Sequence, residues 1–253
     1  MSAVSEVLLQ TIKELQSLPS LSQFALAGGT NLAFRFNHRE SQDIDLFCSE
    51  IVGIKHLETI ENEVVNYYGK SNITGIDYPA DKISNQHSFF RFFVNTPCGE
   101  IIKVEIIQNM KMIDAIEIVD DVRLVTTKDL GLFKLISGSS RAAKKDIYDL
   151  DFITEKIPIT DLFEALIDKK AFYNKEEHKN IFDLDNSKCP TQFPLELLNF
   201  DRNTKKRNSL KPMHSNDAIK ISDNGKSWIV ASSSWRTKIR KLYRHLGIKY
   251  PTY

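Results

Sequence analysis

The sequence predicts an α/β protein in which a mixed β-sheet flanked by helices is followed by a mainly helical second part. Three observations support this. Short apolar runs bounded by turn residues alternate with helical periodicity in the first half. β-Branched and aromatic residues concentrate in two neighbouring runs, 88–94 and 100–108. From Thr126 onward the pattern becomes helical. The boundary falls between a core of residues 1–125 and a helical part, 126–253, that ends in a basic tail.

Leu8, Ile12 and Leu15 recur at helical spacing, and Pro19 closes that helix. Phe24-Ala25-Leu26-Ala27 reads as a buried strand entering the tight turn Gly28-Gly29, after which Thr30 is placed to cap a short helix. Asp43–Phe47 is the next strand, and residues 54–68 carry an apolar face of Leu57, Ile60 and Val64. Strands at 88–94 and 100–108 form a hairpin across Asn95-Thr96-Pro97-Cys98-Gly99. Helices follow at 127–137, 142–155 and 161–169, with Gly131 and Ser137 as weak helix formers in the first of them. Residues 201–216 read as a linker or mobile loop, and 233–246 as a basic helix with a stripe of Trp235, Ile239 and Leu242. Between them, 217–221 and 227–231 could pair as a small hairpin over Asn224-Gly225.

The composition, 42% hydrophobic and 26% charged, is that of a soluble globular protein. No run approaches the ~18 apolar residues of a membrane span. Glu6 and Glu14 interrupt the first apolar stretch, which argues against a signal peptide, so the expectation is a cytoplasmic protein with no membrane partner. Cys48, Cys98 and Cys189 are odd in number and widely spaced, which argues against a zinc site or a disulfide framework. The net charge of +1 conceals an asymmetry: residues 201–253 hold 13 Lys or Arg against 3 Asp or Glu. An acidic front and a basic tail suggest separate tasks.

On a strand, Asp43 and Asp45 project from one face while Ile44 points to the core. Paired carboxylates suit a hard cation such as Mg²⁺ or Mn²⁺. Glycines between a strand and a helix let backbone N–H groups approach a phosphate, with Thr30 adding a hydroxyl. An ordinary strand-to-helix turn uses glycines just as well; it is the order that points to function, with twelve residues between Thr30 and Asp43. Glu105 stands in the apolar strand Lys103-Val104-Glu105-Ile106-Ile107, on the face opposite Val104 and Ile106. It reads as a general base or third metal ligand, or else as the partner of Lys103 or Arg91 across the hairpin. Lys134 lies in an apolar helix and needs a partner: a triphosphate, an aspartate, or solvent at the helix edge. Asp146 and Asp149 lie three apart on a helix, near one face, where Lys145 or Arg141 could pair with them.

The phrases Leu26-Ala27-Gly28-Gly29-Thr30-Asn31-Leu32-Ala33 and His38-Arg39-Glu40-Ser41-Gln42-Asp43-Ile44-Asp45-Leu46-Phe47 resemble the AbiEii/AbiGii toxin family of nucleotidyltransferases, of abortive-infection and toxin–antitoxin systems. So do residues 129–137, similar to the family's DLLAxKLxA helix, and 141–150, similar to its RxxxKDxxDL helix. The resemblance spans about residues 26–150. It implies a nucleotidyltransferase-type fold and an NTP substrate, with Asp43 and Asp45 as metal ligands and Gly29 with Thr30 as the phosphate turn. It further implies that Lys134 meets the nucleotide phosphates and that Asp146 lies beside the active site. Arg39 and Ser41 match an R-x-S flank whose role is open. It also implies a toxin acting on RNA, tRNA in some members, opposed by a cognate antitoxin.

The tail fits RNA on its own account, since Lys205-Lys206-Arg207, Arg236, Lys238, Arg240, Lys241 and Arg244 interleave with Trp235 and Tyr243. A solvated basic face, or a dock for an acidic antitoxin, accounts for it equally. Two other functions fit the motifs: an enzyme of this fold acting on a protein or a small molecule such as an antibiotic, and a nucleotide-binding module without turnover.

Overall fold

The computed structural model describes residues 2–80, 83–186, 188–200 and 218–251. Helix α1 (Glu6–Ser17) starts where the Ser5 side chain accepts the Leu8 N–H, and the chain turns at Pro19. Strand β1 (Ala25–Leu26) leads into α2 (Gly28–Phe36), β2 (Ile44–Phe47) and α3 (Ile54–Tyr68). Strands β3 (Ile73–Asp77), β4 (Phe89–Asn95), β5 (Ile101–Ile107), β6 (Glu117–Val119) and β7 (Val122–Leu124) follow. The second half is α4 (Thr127–Arg141), α5 (Lys144–Lys156), α6 (Ile159–Phe172) and α7 (Trp228–His245). The strands form one mixed sheet in the order β3-β4-β5-β2-β1-β7-β6, so the α/β expectation holds. Among the described residues no helix is long and apolar enough to cross a membrane.

Each face of the sheet carries its own core. Ile44, Leu46, Val104 and Ile106 pack with Leu8, Ile12 and Leu15 of α1 and Leu57, Ile60 and Val64 of α3. On the other face Phe47 and Ile107 meet Leu130, Leu135, Ile147, Leu150 and Leu162 from the helical half. Strand alternation therefore turns Asp45 and Glu105, out of phase with the first set, towards α4 and α5. β2 and β5 are parallel neighbours, with Ile44 opposite Val104 and Asp45 opposite Glu105.

Several expectations need correction. Thr30 does not cap α2: Ala27 holds the cap position, and Thr30 is buried inside the helix. α4 runs unbroken through Gly131 and Ser137, because Gly131 lets Leu162 of α6 pack against the helix backbone. No hairpin forms over Asn224-Gly225, since α7 begins at Trp228, capped by Ser227; Ile221 instead bridges Arg39. Trp235 and Tyr243 are core residues, not base-stacking platforms. Trp235 is fully buried and donates its indole N–H to the Leu197 carbonyl at 2.9 Å. Lys205-Lys206-Arg207 and the rest of the expected linker at 201–216 lie outside the described residues.

Candidate active site

Start from the carboxylates. Asp45 and Glu105 stand side by side in register, and Asp43 precedes the first registered pair, next to Lys103. Lys103 Nζ lies 3.0 Å from Glu105 Oε2 and 3.9 Å from Asp43 Oδ2. Arg91, opposite Glu105 on β4, approaches Oε1 at 3.8 Å, so both anticipated partners are present, Lys103 from the same strand and Arg91 from across the hairpin. Oε1 is buried and accepts no hydrogen bond among the described residues. Burial pushes the Glu105 carboxyl up to about 7; Lys103 pulls it back and Asp45 adds to the rise. Burial alone would lower the Lys103 ammonium, but Glu105, Asp45 and Asp43 outweigh it and hold it above its ordinary value.

The glycine turn is shaped by these side chains. Gly28 has φ +61°, and a Cβ there would stand 1.8 Å from Asp45 Oδ2. A Cβ on Gly29 would stand 2.2 Å from Arg39 Nη2. Thr30 faces inward: its hydroxyl donates to the Asp43 carbonyl and meets Ser41 Oγ at 2.8 Å. It thus fixes the segment before β2 against α2.

The helical half contributes a buried charge network. Asp149 accepts Arg39 Nε and Nη2 at 2.7 Å each, His38 Nε2 at 2.8 Å, and pairs with Lys134 Nζ at 2.8 Å. Burial would raise the Asp149 carboxyl, but Arg39 and Lys134 hold it well below the usual carboxylate range. Burial likewise works against the charge on Arg39, yet Asp149 raises it. Asp146, fully buried, takes Lys134 at 2.8 Å and Arg141 through both carboxylate oxygens. Of the partners open to Lys134, the structure supplies two aspartates.

These groups converge on a cavity of about 170 Å³. Its wall includes Gly28, Gly29, Arg39, Ser41, Asp43, Asp45, Glu105 and Lys134, eight of the residues singled out from sequence. Thr30 and Asp146 are not on it; each lies one layer behind. The wall also holds Lys103, Ser137, Ser140, Arg141 and Lys145, and an apolar side of Phe47, Leu130, Phe133, Ile181 and Phe182. Lys103, read from sequence as a possible partner of Glu105, is that partner and also stands on the wall. Phe182 gave no signal, coming from a stretch without periodicity. The oxygen-only donor set of Asp43, Asp45 and Glu105 suits a hard divalent cation. As the side chains stand, no three acidic, His or Cys groups among the described residues converge closely enough to hold one.

The sequence model of the nucleotidyl transferase AbiEii toxin family, type IV toxin–antitoxin system, matches residues 13–240. The chain belongs to this family. The motif resemblance stops near residue 150, whereas the match extends through most of α7, so the helical half is part of the family's own architecture. This AbiEii-family chain is a nucleotidyltransferase. No curated protein matches it. Among solved structures it is similar to MenT4, a nucleotidyltransferase toxin from Mycobacterium tuberculosis H37Rv, with 16% identity and a TM-score of 0.50, over 94% of this chain and 84% of that one. A protein from H. pylori described as a nucleotidyltransferase aligns over 96% of this chain and 98% of its own, at 17% identity and a TM-score of 0.47. The MenT4 likeness bears on the fold.

Proposed function

We propose that the chain transfers a nucleoside monophosphate from an NTP to an acceptor hydroxyl of RNA, tRNA foremost, as the toxin partner of a cognate antitoxin. The observation that carries this reading is the meeting of Asp45, Glu105, Gly28-Gly29 and Lys134 on one cavity wall. Residues 1–125 supply the carboxylates and the turn, and residues 126–253 close the cavity with cations. Asp43 and Asp45 would hold Mg²⁺ or Mn²⁺, with Glu105 as third oxygen donor. The ion, when bound, would neutralise charge on the triphosphate and orient it. Gly28 and Gly29 present backbone N–H groups to phosphate, and Lys134 and Arg39 add positive charge at fixed positions. Glu105 Oε1 is the acceptor available for the proton of the attacking hydroxyl, and its raised carboxyl is poised for that exchange. Asp146 and Ser41 position Lys134 and Thr30.

Phe133 and Phe182, with ring centroids 6.0 Å apart, give a nucleobase an apolar surface without a hydrogen-bond code. RNA would be held by phosphate contacts to the exposed Arg240, Lys241 and Arg244 of α7, now without base stacking on Trp235 or Tyr243. The test is purified protein with each labelled NTP, Mg²⁺ and total RNA, resolved on a gel. Label in a tRNA-sized band with wild type, and none with Asp45→Asn, is expected. Equal label with both proteins would refute the site; label in protein or in no macromolecule would refute the acceptor.

A further inference from the structure

Among the cavity-lining cations, Lys220 pairs with Glu40 at 3.3 Å, and four others, paired with carboxylates within the site, fall into two groups. Arg39, Lys134 and Arg141 are tied to Asp149 or Asp146, on α5 behind the wall. Lys103 alone of the four faces the opposite way, onto the β2–β5 carboxylates. Its position follows from the sheet. Lys103 and Glu105 are two apart on β5 and share a face, while Asp43 and Asp45 run beside them on the parallel neighbour. An ammonium there meets the same oxygens that a divalent ion would need. Glu105, with its side chain 2% exposed, has no solvent to serve as its counter-charge. Arg91 is the weaker partner, its Nη1 3.8 Å from Glu105 Oε1 and its Nη2 bound to Asp77 on the far side of the hairpin.

We propose that Lys103 is the resident cation of the Asp43–Asp45–Glu105 site, holding the place of the divalent ion until a triphosphate arrives to take the ammonium as the metal enters. This role rests on the reading of those carboxylates as metal ligands. The physical reason is mutual exclusion. Nζ stands 3.0 Å from Glu105 Oε2 and 3.9 Å from Asp43 Oδ2, so its charge lies beside the oxygens an ion would use, and two cations at one site repel. Without nucleotide the protein would therefore bind metal weakly. With nucleotide, Lys103 moves its charge onto phosphate oxygens, a compact point charge on a flexible stem suited to such a change of partner. Metal loading is thereby made conditional on substrate.

The probe is Mn²⁺ alone, without nucleotide, read by loss of the free-ion electron paramagnetic resonance signal. Lys103→Met is expected to bind Mn²⁺ more tightly than wild type by about 10- to 100-fold, from relief of the repulsion between an ammonium and a divalent ion a few ångströms apart in a water-like dielectric. Adding Asp45→Asn to Lys103→Met should abolish the gain. Lys103→Arg, which keeps the charge, should show none. A thermal melt gives a second readout: Mn²⁺ should raise the melting temperature of Lys103→Met and leave wild type nearly unchanged. Lys103→Gln serves if the Met variant does not fold. Equal, Asp45-dependent Mn²⁺ affinity in wild type and Lys103→Met would overturn the role of Lys103 while leaving the metal site standing. No Mn²⁺ binding by wild type or by any neutral variant would overturn the metal reading itself.

Discussion

Asp149→Ala removes the hub of the buried network, and its cost can be worked from the contacts. In the wild type Asp149 accepts two hydrogen bonds from Arg39 and one from His38, and pairs with Lys134. After truncation Lys134 keeps Asp146, but Arg39, 2% exposed, keeps only the Glu40 carbonyl at 3.1 Å among the bonds recorded for it. Breaking a buried ion pair by deleting one partner costs about 3–5 kcal/mol, because a desolvated charge is stranded. For a chain of this size each kcal/mol lowers the melting temperature by about 2–4 °C, so a fall of roughly 6–20 °C is expected in a circular-dichroism melt. The double variant Arg39→Met/Asp149→Leu should recover much of the loss, since removing both charges strands neither. A single variant that melts within about 2 °C of wild type would refute the reasoning. So would a double variant whose loss equals the sum of the two singles.

Three further outcomes are expected. Gly28→Ala places a Cβ 1.8 Å from Asp45 Oδ2 at φ +61°; displacing that carboxylate by about 1 Å should cost on the order of 10²-fold in nucleotide incorporation, with the positive φ taking only about 1–2 kcal/mol of stability. Activity within threefold of wild type would show that Asp45 need not stand there. Burial lowers the His38 pKa below 6.5 despite Asp149, so the unfolded chain binds a proton that the fold refuses, and stability falls as pH drops below 6.5. Between pH 6.5 and 5.5 wild type should lose more stability than His38→Gln in urea unfolding; parallel pH profiles would contradict this. Finally, replacing Arg240, Lys241 and Arg244 together by Ala should flatten the salt dependence of RNA binding by roughly 2–3 in log–log slope, whereas Trp235→Phe should cost stability and leave the slope alone. A slope change from the Trp235 variant would put that residue back at the RNA surface.

What the sequence determined by itself was local. Alternation placed Asp45 and Glu105 on faces opposite Ile44 and Val104, and the order of Gly28-Gly29-Thr30 before Asp43 and Asp45 marked the turn and the carboxylates. The long helices α3 to α6 followed from 3.6-residue periodicity over a dozen or more residues. The two-residue β1 was legible through its glycines, but β3 and β6, mostly exposed, and β7, buried but only three residues long, left no comparable pattern.

The tertiary structure decided which distant charges meet. Arg39 and Asp149 are 110 residues apart, and nothing in either neighbourhood says that they pair. Only the packing of α5 over the sheet brings them together behind the Gly29 turn. The same holds for Thr30, whose hydroxyl could have faced a phosphate or the Asp43 carbonyl, and for Trp235, whose stripe could have met RNA or Leu197. Periodicity gives a side chain its face; the partner across that face is set by topology, because the free energy of a buried charge or ring depends on what surrounds it. Lys103 shows both halves of this. Its face was legible from Glu105 two residues on, but its place between Asp43 and Glu105 came from the parallel pairing of β2 with β5.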